Sequence, residues 1–261
     1  MTNPEVTLTR DGDVAVLTLD DRARKNAMTV ELGDALRARV EELRGEAWVR
    51  AVVLHGAGGT FSGGGDLAML ERLRKLSPSE TERFMLEFYA RYLSVTELAV
   101  PTIAAIEGAA IGAGLAVAMA CDLAVVDVDA KLALNFVQLG LHPGMGSTYL
   151  APLRAGAMRG SELLVTGRRF DGREAARLGI ALEALPGADV LPRAVDLARA
   201  IARNAPLAVR GLKRGLAIDP AELARALARE AREQAISYAS ADLGEGLRAA
   251  SERRAPAFEG R

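Results

Sequence analysis

The stretch PTIAAIEGAAIGAGLAVAMACDLAVV, residues 101–126, holds a strand, a glycine-rich turn, a helix and a second strand, in that order. PTIAAI is a short apolar run bounded by proline and glycine, the pattern of a buried strand. GAGLAVAMAC has helical length, and DLAVVD is strand again. The same layout occurs earlier, where the apolar run VRAVVLHG leads through FSGGGDLAML (residues 61–70) into a helical pattern. Glycine loses more backbone entropy on folding than any other residue. A cluster therefore marks either a special backbone shape or a closely approaching ligand. The plain alternative is a flexible turn.

Outward from these two units the pattern continues. EVTLTRDGDVAVLTLD alternates apolar and polar residues around Asp11-Gly12-Asp13, which predicts a hairpin. In MTVELGDALRARVEEL, residues Leu32, Leu36, Val40 and Leu43 share one helical face, with Thr29 as N-cap. A second helix is predicted over 78–98 from Ser77-Pro78, and AKLAL adds a short strand. From about residue 157 the pattern is helical throughout. Asp171 caps a helix over 172–178 that stops at Gly179, and longer patterns cover 188–204, 206–217, 220–237 and 240–254. Asp219-Pro220 is a clean start, with proline at the first helical position. Leu223 and Leu227 give that helix an apolar stripe. Strand–loop–helix units in succession predict an α/β fold with crossover connections. Residues 1–195 form the expected core and 196–261 a helical extension, with no Pro-, Gly- or Ser-rich linker between them.

The 261 residues are enough for one large core, and half of them are hydrophobic. A formal net charge of −1 gives no global attraction to nucleic acid or anionic membrane. The single cysteine, Cys121, lies in an apolar run, which excludes an internal disulfide and fits a reducing compartment. MTNPEVTLTR lacks the charged and apolar regions of a signal peptide. AAIGAGLAVAMAC is too short to span a bilayer. A cytoplasmic location is expected, with no metal site.

A helix N-terminus offers unpaired N–H groups and the positive end of a dipole. Two glycine loops side by side, each opening a helix, can aim two main-chain donors at one oxygen and stabilise an enolate or tetrahedral anion. Neither cluster reads G-x-G-x-x-G, and no Gly-Lys-Ser/Thr is present, so dinucleotide and P-loop sites fit poorly.

RKNAMT, VVLHGAGGTFSGGGDL, PTIAAIEGAAIGAGLAVAMACDLAVV, LGLHPGMGST, ELLVTGRRFDGREAARLGI and EGLRAASERRAPAFEGR occur in this order. With these six stretches the chain resembles the crotonase superfamily, the enoyl-CoA hydratase/isomerase family, over nearly its whole length. The resemblance implies a spiral of ββα units with a C-terminal helical trimerisation region, a homotrimer or dimer of trimers, and an acyl-CoA thioester as ligand. No cofactor is implied beyond the coenzyme A of the substrate. The backbone N–H groups of Gly65 and Ala113 are implied as the oxyanion hole. Gly63 and Gly64 then let the main chain approach the thioester and pantetheine, with Leu67 beside them and Asp66 ordering the loop. The family usually has alanine at 65 and glycine at 113, and neither change removes a backbone donor. Arg24, Lys25 and Ala27 fall where the family contacts the nucleotide, though solvated surface charge explains Arg22, Arg24 and Lys25 equally well. Phe258 falls where a neighbouring subunit's tail packs on adenine.

Two family glutamates are missing. Their positions hold Ala116 and Phe136, and neither a methyl nor a phenyl group exchanges protons. The aspartate that some isomerases place after the proline of LHPGMG is here Gly144. His142 is the remaining candidate acid or base, since imidazole titrates in the useful range; a structural histidine is the alternative. Glu107 replaces the family's usual asparagine and is read as satisfying turn N–H groups, with a base as the other reading. Phe84, Tyr89 and Tyr92 lie on the helix expected to wall the acyl pocket, and Phe136 is expected beside the ligand. Two functions stand: an acyl-CoA enzyme that stabilises a thioester enolate or oxyanion, an isomerase with a different base among them, or a non-catalytic acyl-CoA carrier.

Overall fold

The computed structural model describes residues 4–216 and 218–261. The chain opens with β1 (Glu5–Asp11) and β2 (Val14–Asp20), then α1 (Val30–Leu43), β3 (Ala51–Gly56), α2 (Leu67–Leu73) and α3 (Pro78–Leu93). Next come β4 (Thr102–Ile106), β5 (Ala109–Ile111), α4 (Ala113–Ala120), β6 (Leu123–Asp127) and β7 (Lys131–Ala133). The second half holds α5 (Ser147–Ala155), α6 (Ala157–Thr166), β8 (Arg169–Phe170), α7 (Gly172–Leu178), β9 (Glu183–Leu185), α8 (Gly187–Ala202), α9 (Pro206–Leu216), α10 (Pro220–Ala239) and α11 (Ala241–Glu252).

The main sheet runs β1-β2-β3-β4-β6-β9, with β1 antiparallel to β2 and every later pair parallel. A smaller sheet, β5-β7-β8, lies beside it. Strand alternation sorts side chains onto two faces. Val14, Val16, Ala51, Val53, Ile103, Ala105 and Val125 meet Val190, Ala194, Ala198 and Ala202 of α8. Their neighbours Ala15, Leu17, Val52, Leu54, Ala104 and Ile106 join the larger core with α1, α3 and α4. Both faces are covered, as a parallel sheet requires. Each fully buried leucine or valine contributes ~1.5–3 kcal/mol.

The expected starts are in place. Thr29 accepts a hydrogen bond from Leu32 N, Ser77 and Glu80 make a reciprocal capping box, and Asp171 and Asp219 cap α7 and α10. Four elements differ from expectation. β8 and β9 interrupt the region read as helical, β5 lies in the stretch read as a glycine-rich turn, and α5 occupies a stretch given no element. The boundary drawn at 195 falls inside α8, which runs unbroken to Ala202 on the sheet's outer face.

Candidate active site

Two loops meet at one side of the main sheet. Ser62 bridges to Ala110: Ser62 N–H donates to Ala109 O, and Ile111 N–H donates to Ser62 O. Gly64, with φ +89°, passes so close to β5 that a Cβ on it would lie 2.6 Å from Ile111 O. On the other side, Met28 N–H donates to Gly64 O at 2.8 Å and Gly63 N–H donates to Lys25 O at 2.8 Å. The middle of FSGGGDLAML is thus threaded between two backbones, and that close approach explains the bare Gly64. Gly65 is different, since a Cβ there would have its nearest neighbour, Leu70, at 3.8 Å.

The bridge between Met28 and Gly65 uses the N–H of Asp66 and the carbonyl of Gly64, and leaves the Gly65 N–H free. Ala113 is the first residue of α4, entered through Gly112 at φ +54°. Neither the Gly65 N–H nor the Ala113 N–H has a hydrogen-bond partner among the described residues. Both residues line one cavity of about 220 Å³.

That cavity gathers several expected residues. Gly63, Gly64, Gly65, Leu67, Ala113, Phe136 and Tyr89 all line it. Asp66 does not; its carboxylate accepts Met69 N–H at 2.7 Å and caps α2. Ala116 is fully buried inside the core and does not reach the cavity. Phe84 and Tyr92 stand outside it, and the Tyr92 hydroxyl donates to Thr29 O at 2.7 Å.

His142 is not brought to the cavity. Its Nδ1 lies 2.7 Å from Pro143 O, its backbone N–H donates to Ser237 Oγ and its carbonyl accepts from Gln234 Nε2. These contacts fix His142 against α10, off the cavity wall. Glu107 also lies outside, with its carboxyl raised by burial and by Asp127. The turn N–H of Gly108 goes to Asp127 rather than to Glu107. Arg24, paired with Asp21, and Lys25 are exposed, and with Ala27 they sit on the segment beside Gly63 without lining the cavity. Asn26 clamps this segment through donations to Ala57 O and Thr60 O. Phe258 is half-exposed, in a shallow groove on the Asn135–Leu139 turn, which also borders the cavity.

The polar side chains of the cavity wall are Tyr89, Asn135, Gln234 and Tyr238; no carboxylate, imidazole, ammonium or guanidinium lines it among the described residues. Burial holds both phenols well above their ordinary pKa, so they stay neutral donors. Tyr89 donates to Gln234 Oε1 at 2.8 Å. Behind them, the fully buried Glu230 accepts from Gly146 N and Thr148 N, each at 2.7 Å, and from Thr148 Oγ1. Glu230 caps α5 from 82 residues away, a cap the local sequence does not supply. Burial raises its carboxyl to about 6 against these bonds.

Gln234, Tyr238 and Glu230 were not singled out in the sequence. They stand on α10 at the four-residue spacing that continues the face begun by Leu223 and Leu227. Polar residues on a buried helical face were the available signal.

The enoyl-CoA hydratase/isomerase family model matches residues 9–261. A Thermus thermophilus protein named "Putative enoyl-CoA hydratase" is 36% identical over 260 residues, covering 95% of this chain and 98% of that one. The human mitochondrial methylglutaconyl-CoA hydratase is 32% identical over 256 residues, covering 95% and 74%. The solved structure of EchA1_1 from Mycobacterium paratuberculosis superposes with a TM-score of 0.86 at 31% identity, covering all of both chains. This α/β chain belongs to the enoyl-CoA hydratase/isomerase family and has the crotonase fold.

Proposed function

We propose that the protein binds an acyl-CoA thioester with the carbonyl oxygen between the Gly65 and Ala113 N–H groups, and that these stabilise the enolate or oxyanion formed there. The supporting observation is the pair of unpartnered main-chain donors on the wall of one largely apolar cavity. Such donors cost no reorganisation when charge develops, and each is worth ~3–4 kcal/mol in the transition state. Ground-state binding gains less, because the charge is not yet formed. With Ala116 and Phe136 in the carboxylate positions, the chemistry is double-bond isomerisation by another base, water addition through ordered solvent, or thioester chemistry. Arg24, Lys25, Ala27 and Phe258 are assigned to the nucleotide end of coenzyme A on the family pattern.

The absence of any carboxylate or imidazole on the wall, among the described residues, favours a second reading: a carrier that holds the thioester without turning it over. Incubation with a panel of acyl- and enoyl-CoA thioesters, read by mass spectrometry, separates the two. Turnover supports the enzyme. Saturable binding by calorimetry without turnover supports the carrier. No binding of short, medium or aromatic acyl groups overturns both.

A homotrimer or dimer of trimers in the cytoplasm is part of the same proposal. No residue of α9 is buried, and Leu207, Leu212 and Leu216 lie 81%, 63% and 82% exposed. These exposed leucines fit a subunit contact, which light scattering on the eluting protein tests. Among the described residues no helix is long and apolar enough to cross a membrane.

A further inference from the structure

We propose that the side-chain amide of Asn135 contacts the bound acyl group beside the two free main-chain donors, and selects one that carries a hydroxyl close to the thioester carbonyl. The inference rests on the acyl-CoA reading above and names the substrate class within it.

Of the polar side chains on the cavity wall, Tyr89, Gln234 and Tyr238 are engaged or sealed. Tyr89 donates to Gln234 Oε1, and Gln234 donates to His142 O at 2.9 Å. The Tyr238 hydroxyl is closed to solvent and to the cavity alike. Asn135 is the exception. It is half-buried, and its amide has no hydrogen-bond partner among the described residues. Nor does it cap the turn Asn135–Leu139 that it opens, since the residue before that turn is Leu134. The amide is accessible, and the local fold makes no use of it.

Gly112 shows which way it faces. A Cβ on residue 112 would meet Asn135 Oδ1 at 3.7 Å and the Phe136 ring at 3.8 and 3.9 Å, all ordinary contacts. Gly112 lines the cavity and stands one residue before Ala113, whose N–H is free. The room left by the missing side chain is therefore walled by an amide on one side and a phenyl ring on the other, next to that donor. An acyl group with its carbonyl oxygen between the Gly65 and Ala113 N–H groups brings its first carbons to this room. The ring packs on the hydrocarbon, and the amide faces whatever polar group those carbons carry.

The chemistry of the amide narrows that group. Turned either way, a carboxamide offers both a donor and an acceptor. A hydroxyl can engage both, whereas a ketone oxygen only accepts. A carboxylate or ammonium would find no counter-charge, because no charged side chain lines the cavity among the described residues.

The test uses the full chain and calorimetry with three probes of equal chain length: butanoyl-CoA, 2-hydroxybutanoyl-CoA and 3-hydroxybutanoyl-CoA, the last two as both enantiomers. At least one hydroxybutanoyl thioester is expected to bind about fivefold tighter than the butanoyl thioester, the effect of one neutral hydrogen bond. Asn135→Leu keeps the size and branching of the side chain, removes its polar atoms, and is expected to bring the affinities together. Asn135→Ala is a second variant with the same expectation. The ratio of affinities is the readout, because a merely structural effect of either substitution lowers both affinities in step; melting temperature checks the fold. A wild-type ratio near one, or a preference that survives both substitutions, overturns the proposal and leaves the acyl-CoA reading in place. Failure of every thioester to bind overturns that reading, and this inference with it.

Discussion

The two glycine loops and the α10 wall face the same cavity, yet they are built from opposite materials. The loops present main chain: Gly64 threaded against Ile111, and the free N–H groups of Gly65 and Ala113. The α10 wall presents side chains: Gln234, tied to Tyr89, and Tyr238, with Glu230 further along the same helix. Main-chain donors tolerate change at their own positions, as alanine at 113 and glycine at 65 illustrate. Side-chain chemistry does not, and on the proposed reading Ala116 and Phe136 stand in the two carboxylate positions while the backbone donors are kept.

The largest expected effect tests that contrast directly. Crotonyl-CoA hydration should run ~10²–10⁴-fold slower than in a two-glutamate relative for each positioned acid or base that is missing. Stopped or continuous assay of the enoyl absorbance measures it. A rate equal to the two-glutamate enzyme would mean that another group has taken over, and the contrast between backbone and side-chain sites would collapse.

Next in size is Gly64→Val. The substitution places a β-branched residue at φ +89° and drives its Cβ to 2.6 Å from Ile111 O. Strain of this kind costs ~1–3 kcal/mol from the backbone conformation alone, and the steric clash adds to it. A clear fall in melting temperature and loss of thioester binding are expected together. An unchanged melting temperature would show that the loops are not locked to each other.

Glu230→Gln addresses the other wall through pH. The Glu230 carboxyl is lifted from 4.5 to about 6, first by burial, with its bonds to Thr148 and Gly146 and the nearby Arg229 pulling the other way. The folded state then holds its proton more tightly than the unfolded state. Its contribution to stability is greatest below pH 4.5 and declines as pH rises through 6, where the buried carboxylate is charged. Tyr89 remains a neutral phenol over this range. The full decline is ~2 kcal/mol. The glutamine variant does not titrate; it leaves one amide N–H facing a backbone N–H, a pH-independent cost of ~1–3 kcal/mol set against the protonated wild type. The stability difference between wild type and variant should therefore shrink by ~2 kcal/mol between pH 4.5 and 7 in denaturant titrations. A pH-independent difference would remove Glu230 as a titrating cap.

What was legible in the sequence follows the same division. The strand–glycine–helix units, the Thr29, Ser77, Asp171 and Asp219 caps and the glycine walls of the cavity all depend on neighbours within a few residues. α5 was hidden because its N-terminus, Gly146-Ser147, carries no local cap; Glu230 supplies one from α10. The α10 wall was hidden because a helical period places Gln234 and Tyr238 on the buried face without naming their partners. Tyr89 lies 145 residues from Gln234, and nothing local links them. His142 was legible as a titratable residue in LHPGMG, but its place off the cavity wall was not, because that is set by Ser237 and Gln234, 95 and 92 residues further on.

Gly65→Ala is the finest test of the backbone wall, because it separates the two adjacent glycines. Gly65 is not held at positive φ, and its added methyl would meet nothing nearer than Leu70 at 3.8 Å, ordinary contact. The substitution keeps the N–H and removes unfolded-state entropy, which stabilises a protein by ~0.4–1 kcal/mol where the native conformation is compatible. A small rise in melting temperature is expected, with thioester binding retained. Gly64→Ala, one residue earlier, should move in the opposite direction, because φ +89° and Ile111 O oppose even a methyl group. If both alanine variants destabilise equally, the run of three glycines is a single flexible turn. Opposite signs mean that Gly64 is required by the loop crossing, while residue 65 matters through its main-chain donor alone.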